Sequence, residues 1–549
     1  MSSDPIWRIL IGDQIELEQK EPEHMVNKIV LFIEDLTEKQ ILLILLGITF
    51  GLRLYAVLMA KGISYDGVGY GFIARDFLRH DFAKGLSPAL HPFYPFLIYL
   101  VSPDAGHVEI AGRFISLFFG TMTFIPVFYL AKEVAGQKGA ILSGLFYSIH
   151  PYLVTYSGMV LSEATYWGLL TFSVYFFWRG LSRKKVLGCI VSGACLGLSY
   201  LTRPEGIGYL IVFLIWIIIG GGMRKGWFKK CFMAGCLIIG FFIVAFPYIF
   251  TIRQETGQWL VSKKGMITQS QLMKWVEVNE PPKNEGFKDL RKEDPKSEKV
   301  IGQPKQSTKY FNLTRTGEFM LQFFPFTLYH YLRAYHFALW FFLLFGLIRV
   351  RQKIKIELFL ASLILFHLIS LATFTTSSIR FSVPLIPISL FWAGAGVLEI
   401  QRYLQKNIIS TTGKWVSFLI ILAILVQLPQ SLRPERRHRA EQKNFGLWLK
   451  ENTPKDAVIM SNSPIEAFYA EREFVLLPLG LPMLGIPGKS YREIIQFAKQ
   501  KGIHYILVNK NTRESHPDFE GSIQPKDLRE FYTYREKDGN RIIVYEVIN

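Results

Sequence analysis

The chain has 549 residues, half of them hydrophobic, and 62 Lys and Arg against 44 Asp and Glu give a formal net charge of +18. That length can hold more than one structural unit. The basic excess does not point to nucleic acid, which would call for a basic face on an RNA- or DNA-binding module. No such module is legible, and the Lys and Arg fall in short loops between apolar blocks, where membrane topology accounts for them.

Residues 1–40 are rich in Glu and Asp and lack the short apolar core and cleavage site of a secretory signal. Within them, His24 to Leu36 mixes apolar and charged residues at helical spacing, which predicts an amphipathic surface helix on the cytoplasmic side. From residue 41 onward the apolar residues come in blocks of about 17 to 25, the length that crosses a hydrocarbon core of about 30 Å. Eleven blocks are legible, at 41–60, 110–131, 139–156, 162–179, 186–202, 205–221, 231–251, 334–350, 356–374, 380–400 and 413–429. They predict a polytopic α-helical membrane domain over 41–430, with external loops at 61–109 and 253–333. Lipid cannot satisfy a bare backbone, so such segments must be helical or buried in protein.

Lys132 and Lys138, Arg179 to Lys185, Arg224 to Lys230, Arg351 to Lys355, and Arg402 to Lys414 mark one set of loops as cytoplasmic. The alternate set holds little beyond Arg203 and Arg380, so it lies outside, together with residues 431–549. Arg433, Arg436, Arg437 and Arg439 run against this pattern, because they crowd just after the last block on the external side. Cys189, Cys195, Cys231 and Cys236 all lie in predicted spans and offer no external disulfide framework.

Within the second external loop, 279–309 is crowded with Lys, Glu, Asp and Pro and lacks apolar periodicity, which predicts a mobile stretch able to act as a lid. Its end, LQFFPFTLYHYLRAYHF, is aromatic and amphipathic and is expected to lie on the membrane. After residue 430, helices expected at 444–452, 464–470 and 491–501 alternate with strands expected at 457–461, 474–477, 505–508 and 542–547. That alternation predicts a small α/β domain, extracytoplasmic by the charge rule. It shows no catalytic motif; acceptor binding, packing against the long loop and partner contact are its open roles.

The first external loop reads SYDGVGYGFIARDFLRHDFAKGLSPALHPFYPFLIYLVSP from Ser64. Asp66 sits where a helix begins, and Asp is a favoured N-cap. Glu163 opens the fourth block from outside, where an acid suits a helix N-terminus. Arg203, in LTRPEG, and Arg380, in TTSSIRFSVP, stand at the external ends of their blocks. An Arg at such depth is costly unless it is paired or holds an anion; anchoring to lipid headgroups is the plainer alternative. His91 precedes Pro92 at the start of an apolar helix, while Arg113 and Arg53 fall inside blocks. His150 and His367 read as core histidines.

Asp66, Tyr70 and Ala74 at four-residue spacing, followed by His91-Pro92-Phe93-Tyr94-Pro95, resemble the first loop of GT-C membrane glycosyltransferases. Protein O-mannosyltransferases and the lipid A aminoarabinose transferase are the relatives in mind, and the resemblance covers roughly the first 430 residues. Those families usually carry Asp-Glu where this chain has Asp66-Gly67. The resemblance implies an inverting glycosyltransferase that moves a sugar from a polyprenyl-phosphate donor to a protein, lipid or glycan acceptor at the external membrane face. It implies Asp66 as the base, Glu163 as a supporting acid, and Tyr70, His91, Arg113, Arg203 and Arg380 as substrate-binding residues. A divalent metal is an open possibility. A transporter or flippase would be expected to show two related halves with matching broken helices, and none is legible. A non-catalytic scaffold of a glycan-assembly complex would not need acids and arginines on one face. No Trp-Trp-Asp motif, the mark of an oligosaccharyltransferase, occurs.

Overall fold

A computed structural model of the chain describes residues 37–87, 90–219, 226–263, 313–349, 353–373, 378–407, 412–433, 439–478, 490–516, 519–536 and 539–548. The expected amphipathic helix at 24–36 and the expected lid at 279–309 lie outside them. The bundle runs through α1 (Glu38–Met59), α2 (Tyr65–Leu78), α3 (Phe93–Val101), α4 (Val108–Met122), α5 (Phe124–Ile149), α6 (Glu163–Arg183) and α7 (Val186–Thr202). It continues through α8 (Gly208–Ile219), α9 (Trp227–Thr256), α10 (Leu313–Tyr335), α11 (Trp340–Ile348), α12 (Ile354–Thr373), α13 (Leu390–Asn407) and α14 (Thr412–Ser431).

Each of the eleven apolar blocks falls largely on helix among the described residues. Among the described residues five helices are long and apolar enough to cross a bilayer, or up to seven if each of two bent pairs is one span. The remaining blocks fall on shorter or bent helices. Val108–Ile149 runs as one apolar stretch of 42 residues, Val186–Thr202 and Pro204–Ile219 are short, and α10 meets α11 at an 80° bend. Several apolar helices of this kind make the chain an integral membrane protein.

The bundle tolerates polar groups where carbonyls or other side chains receive them. Arg53 is fully buried inside α1. It donates to the carbonyls of Thr49, Ser148 and Tyr147 at 3.2 to 3.3 Å and lies 4.6 Å over the Tyr147 ring. His367 is likewise satisfied, by the Tyr209 hydroxyl at 2.7 Å and the Phe381 carbonyl at 3.0 Å.

After α14 come α15 (Arg439–Asn452), β1 (Val458–Ser461), α16 (Pro464–Ala470), β2 (Glu473–Leu476), α17 (Tyr491–Gln500), β3 (Tyr505–Val508), β4 (Leu528–Arg535) and β5 (Arg541–Val547). The strands form one mixed sheet in the order β2-β1-β3-β5-β4. β1 pairs parallel to β2 and β3, whereas β5 pairs antiparallel to β3 and β4. Apolar clusters cover both sheet faces. One is centred on Ile494, Ile506 and Ile543, the other on Phe445, Ile459 and Val544.

This sheet unit is joined to the first loop of the bundle. Ile465, Phe468 and Tyr469 share a buried cluster with Ile63, Val68, Tyr70 and Ala74. The Tyr469 hydroxyl accepts from the Ile63 N–H at 3.0 Å, and Arg439 donates to the Ile63 carbonyl at 2.6 Å. Arg439 also lies 4.7 Å over the Tyr65 ring. One of the arginines that ran against the charge pattern is therefore occupied in an intramolecular joint.

Candidate active site

The site forms where the start of α2, the start of α6, the turn after α7 and the short helix Ile379–Ser382 meet. The cap of α2 is Ser64, not Asp66: the Ser64 hydroxyl accepts from the Gly67 N–H at 2.9 Å. Asp66 therefore stands inside the first turn with its carboxylate free of any capping duty, and its side chain is 46% exposed. Gly67 is buried against the neighbouring segment; a Cβ there would sit 2.7 Å from the Val160 carbonyl oxygen. A Glu at this position, as in the resembling families, has no room.

The second carboxylate comes instead from across the fold. Arg380 bridges the two acids, donating from Nη1 to Asp66 Oδ2 at 2.5 Å and from Nε to Glu163 Oε1. Glu163 is fully buried, and its Oε1 also accepts from Arg203 Nη1 at 3.0 Å. Arg203 reaches on to Glu205 Oε1 at 3.3 Å and packs over Phe381 at 5.2 Å and Tyr166 at 5.7 Å. The result is a chain of alternating charge, Asp66–Arg380–Glu163–Arg203–Glu205, with a half-exposed acid at one end, a partly buried acid at the other and the fully buried Glu163 between them. Glu163 Oε2 and Glu205 Oε2 are buried and take no hydrogen bond among the described residues.

Tyr70, one turn along α2 from Asp66, bonds through its hydroxyl to Ser162 Oγ at 2.8 Å, beside Glu163. Burial, followed by the Glu163 carboxylate, pushes the Tyr70 phenol up to about 12, so it stays protonated. Its ring meets Tyr94 edge-on at 5.0 Å.

Two of the expected substrate-binding residues lie apart from this chain of charges. His91 is buried against the rings of Tyr200 and Tyr248, each at 5.3 Å, and its Nε2 meets Ser262 Oγ at 3.1 Å. It borders an apolar groove of about 340 Å³ lined by Phe77, Pro92, Phe96, Leu201, Pro247 and Tyr248. Lys263 reaches the same region, donating to the Leu86 carbonyl at 2.8 Å and to Glu255 at 2.6 Å. Arg113 donates to Glu109 at 2.5 Å and to the Ala60 carbonyl at 2.9 Å, while Glu109 also holds Lys443 of α15 at 3.0 Å. Arg113 therefore belongs to the joint with the sheet unit.

Sequence reasoning passed over Glu205, although it lies in the LTRPEG stretch that drew attention to Arg203. Pro204 begins a 3-10 turn that folds Glu205 back toward Arg203, and that turn was the available signal. Among the described residues no group of three or more His, Cys, Asp or Glu is placed to hold a metal ion. Asp66 and Glu163 both face guanidinium groups rather than each other, a donor set that does not fit a divalent cation.

Residues 87–250 match the family model described as dolichyl-phosphate-mannose-protein mannosyltransferase. By sequence, no curated protein matches the chain. By structure, ArnT from Cupriavidus metallidurans bound to undecaprenyl phosphate superposes with a TM-score of 0.56 at 12% identity, over 93% of this chain and 98% of its own. The same protein in the apo state gives 0.57 at 10% identity, over 92% and 97%. The chain has a GT-C fold. Another similar structure is the oligosaccharyltransferase of Archaeoglobus fulgidus tethered with an acceptor peptide containing the NVT sequon, at a TM-score of 0.53 and 14% identity over 91% of this chain and 74% of that one. In this GT-C chain the family-model match takes in His91, Arg113, Glu163 and Arg203, whereas Asp66 and Arg380 lie on either side of it.

Proposed function

We propose that the protein is an inverting glycosyltransferase that moves one sugar from a polyprenyl-phosphate donor to a hydroxyl acceptor at the extracytoplasmic membrane face. The observation that carries this reading is Arg380 held between a half-exposed acid and a buried one. The leaving group is already a stable phosphate, so no general acid is needed. The acceptor needs a base, which a carboxylate can supply, and the phosphate needs fixed positive charge. Both are present at one point.

The two contacts of Arg380 differ in kind. Its bond to buried Glu163 fixes the guanidinium, and its bond to Asp66 is open to solvent and exchangeable. An arriving phosphate competes with Asp66 for Nη1, using the parallel-bond geometry that guanidinium offers to oxyanions. Asp66, so released, takes the acceptor proton as the acceptor oxygen attacks the anomeric carbon and the carbon–phosphate oxygen bond breaks. The apolar groove beside His91 suits the isoprenoid of the carrier. The structures of ArnT bound to undecaprenyl phosphate and of the archaeal oligosaccharyltransferase with an acceptor peptide support a polyprenyl-phosphate donor and leave room for a peptide acceptor.

Sugar transfer by purified protein in nanodiscs, supplied with radiolabelled polyprenyl-phosphate sugars, tests the reading. Arg380→Ala is expected to lower kcat/KM by about 100-fold or more, the scale of losing one strong electrostatic donor. Arg380→Lys restores only part, because a point charge does not reproduce the fork. Turnover of Arg380→Ala within about two-fold of the wild type would remove the phosphate assignment.

A further inference from the structure

At the end of the bundle opposite Asp66 lies a cavity of about 730 Å³. Helix α6 sets the separation: it begins at Glu163 and carries Arg179 sixteen residues on, about 24 Å away at 1.5 Å per residue. The other walls come from α5 near Gly136, the end of α11 and α13. At Gly136 the backbone leaves helical geometry with a φ of 72°, a conformation that suits glycine, and the helix is broken beside the cavity.

Lys132, Arg179, Arg183, Arg349, Lys353 and Arg402 line the space, against Glu133 as the acid on its wall. Three of the cations are neutralised from behind: Lys132 by Glu38, Arg349 by Glu357 at 3.0 Å and Arg402 by Glu399 at 2.6 Å. Arg179, Arg183 and Lys353 form no ion pair among the described residues. Arg179 lies 5.3 Å over the Tyr175 ring, which stacks on Tyr129 at 5.9 Å, and Trp178 extends this aromatic wall. A concave surface with an excess of positive charge focuses its field and favours an anionic occupant.

We propose that this cavity is a second ligand site, separate from the glycosyl-transfer site, for a phosphate-bearing anion. Guanidinium forks match phosphate oxygens, and the aromatic wall gives the non-ionic part of the ligand a flat surface to lie on. The ligand's source is either the headgroup of an anionic phospholipid in the adjoining leaflet or a soluble phosphate compound.

Native mass spectrometry of the full-length protein in detergent, titrated with phosphatidylglycerol, phosphatidylcholine or inorganic pyrophosphate, tests this. One phosphatidylglycerol or one pyrophosphate is expected to bind in preference to phosphatidylcholine. The tighter of the two identifies the source. Arg179→Gln/Arg183→Gln is expected to weaken that binding by about 10-fold or more, as for loss of a charge-assisted hydrogen bond. Lys184→Gln/Lys185→Gln removes the same charge from the same loop outside the cavity and is expected to leave it unchanged. If the double arginine variant does not fold, Lys353→Gln, an exposed change at the cavity wall, carries the same direction of effect. Equal binding of all three probes, or equal loss in the two double variants, would reduce the cavity to a generally basic surface and overturn the proposal.

Discussion

Ser64 takes the helix cap, which leaves the Asp66 carboxylate for the proposed role of base. Because Ser64 holds the cap, Asp66→Asn is expected to keep the melting temperature while transfer falls by about 100-fold or more, the usual loss when a general base is removed. Ser64→Ala should cost about 1 kcal/mol of stability, read from the shift in a melting curve. Glu163 is different again, buried between two guanidinium groups. Glu163→Gln leaves those two cations facing each other without their shared counter-charge, so a loss of about 3 kcal/mol or more is expected together with loss of transfer. At this scale much was legible: Asp66, Glu163, Arg203 and Arg380 stood out as charges at the external ends of apolar blocks. What a linear reading lacks is the pairing, because Arg380 meets Asp66 across 314 positions of sequence.

The helix that carries Asp66 is positioned by its neighbours as much as by its own sequence. Gly67→Ala places a methyl group 2.7 Å from the Val160 carbonyl oxygen. Helix propensity alone would favour the change, yet overpacking is expected to cost about 1 to 3 kcal/mol and to displace Asp66. Melting and transfer measured on one preparation check both. Tyr469→Phe removes the hydroxyl that the Ile63 N–H donates to. The expected signature is a fall in kcat with folding retained. The other elements were readable in proportion to their apolar pattern. The buried strand Tyr505–Val508 and the helix Pro464–Ala470 stand where the sequence places them. Strand Leu528–Arg535 escaped notice because it is an edge strand of the sheet, mostly exposed, and its charged residues obscure the alternation.

Across the whole molecule, the bundle and the sheet unit meet over a surface rich in buried charge. Glu466 of α16 is fully buried within the sheet unit, and burial raises its carboxyl above the ordinary 4.5. Gln442 donates to one of its oxygens at 3.0 Å, and the other takes no bond among the described residues. A raised folded pKa favours the folded state below the ordinary value, and this contribution is lost as pH rises through the raised one. The melting temperature of the wild type should therefore fall over that interval relative to Glu466→Gln, whose amide does not ionise. Parallel slopes in the two proteins would show that Glu466 is not responsible. The membrane count was the least legible property, because short helices, a kinked double-length stretch and two bent pairs share one apolar composition.

The clamp on Ile63 also bears on biosynthesis. Tyr469 is made 406 residues after Ile63, and at about 5 to 20 residues per second the ribosome takes roughly 20 to 80 s to cover that distance. Throughout that time the first loop is already translated while the segment entering α2 lacks both of its distant ties. A chain that stops after α14 would hold the arginines and acids of the bundle but no Tyr469 or Arg439 to fix the approach to Asp66. Completion of the polypeptide is in this sense the step that fixes the entry to α2, and prematurely terminated products would carry the bundle's charges without the two ties on Ile63.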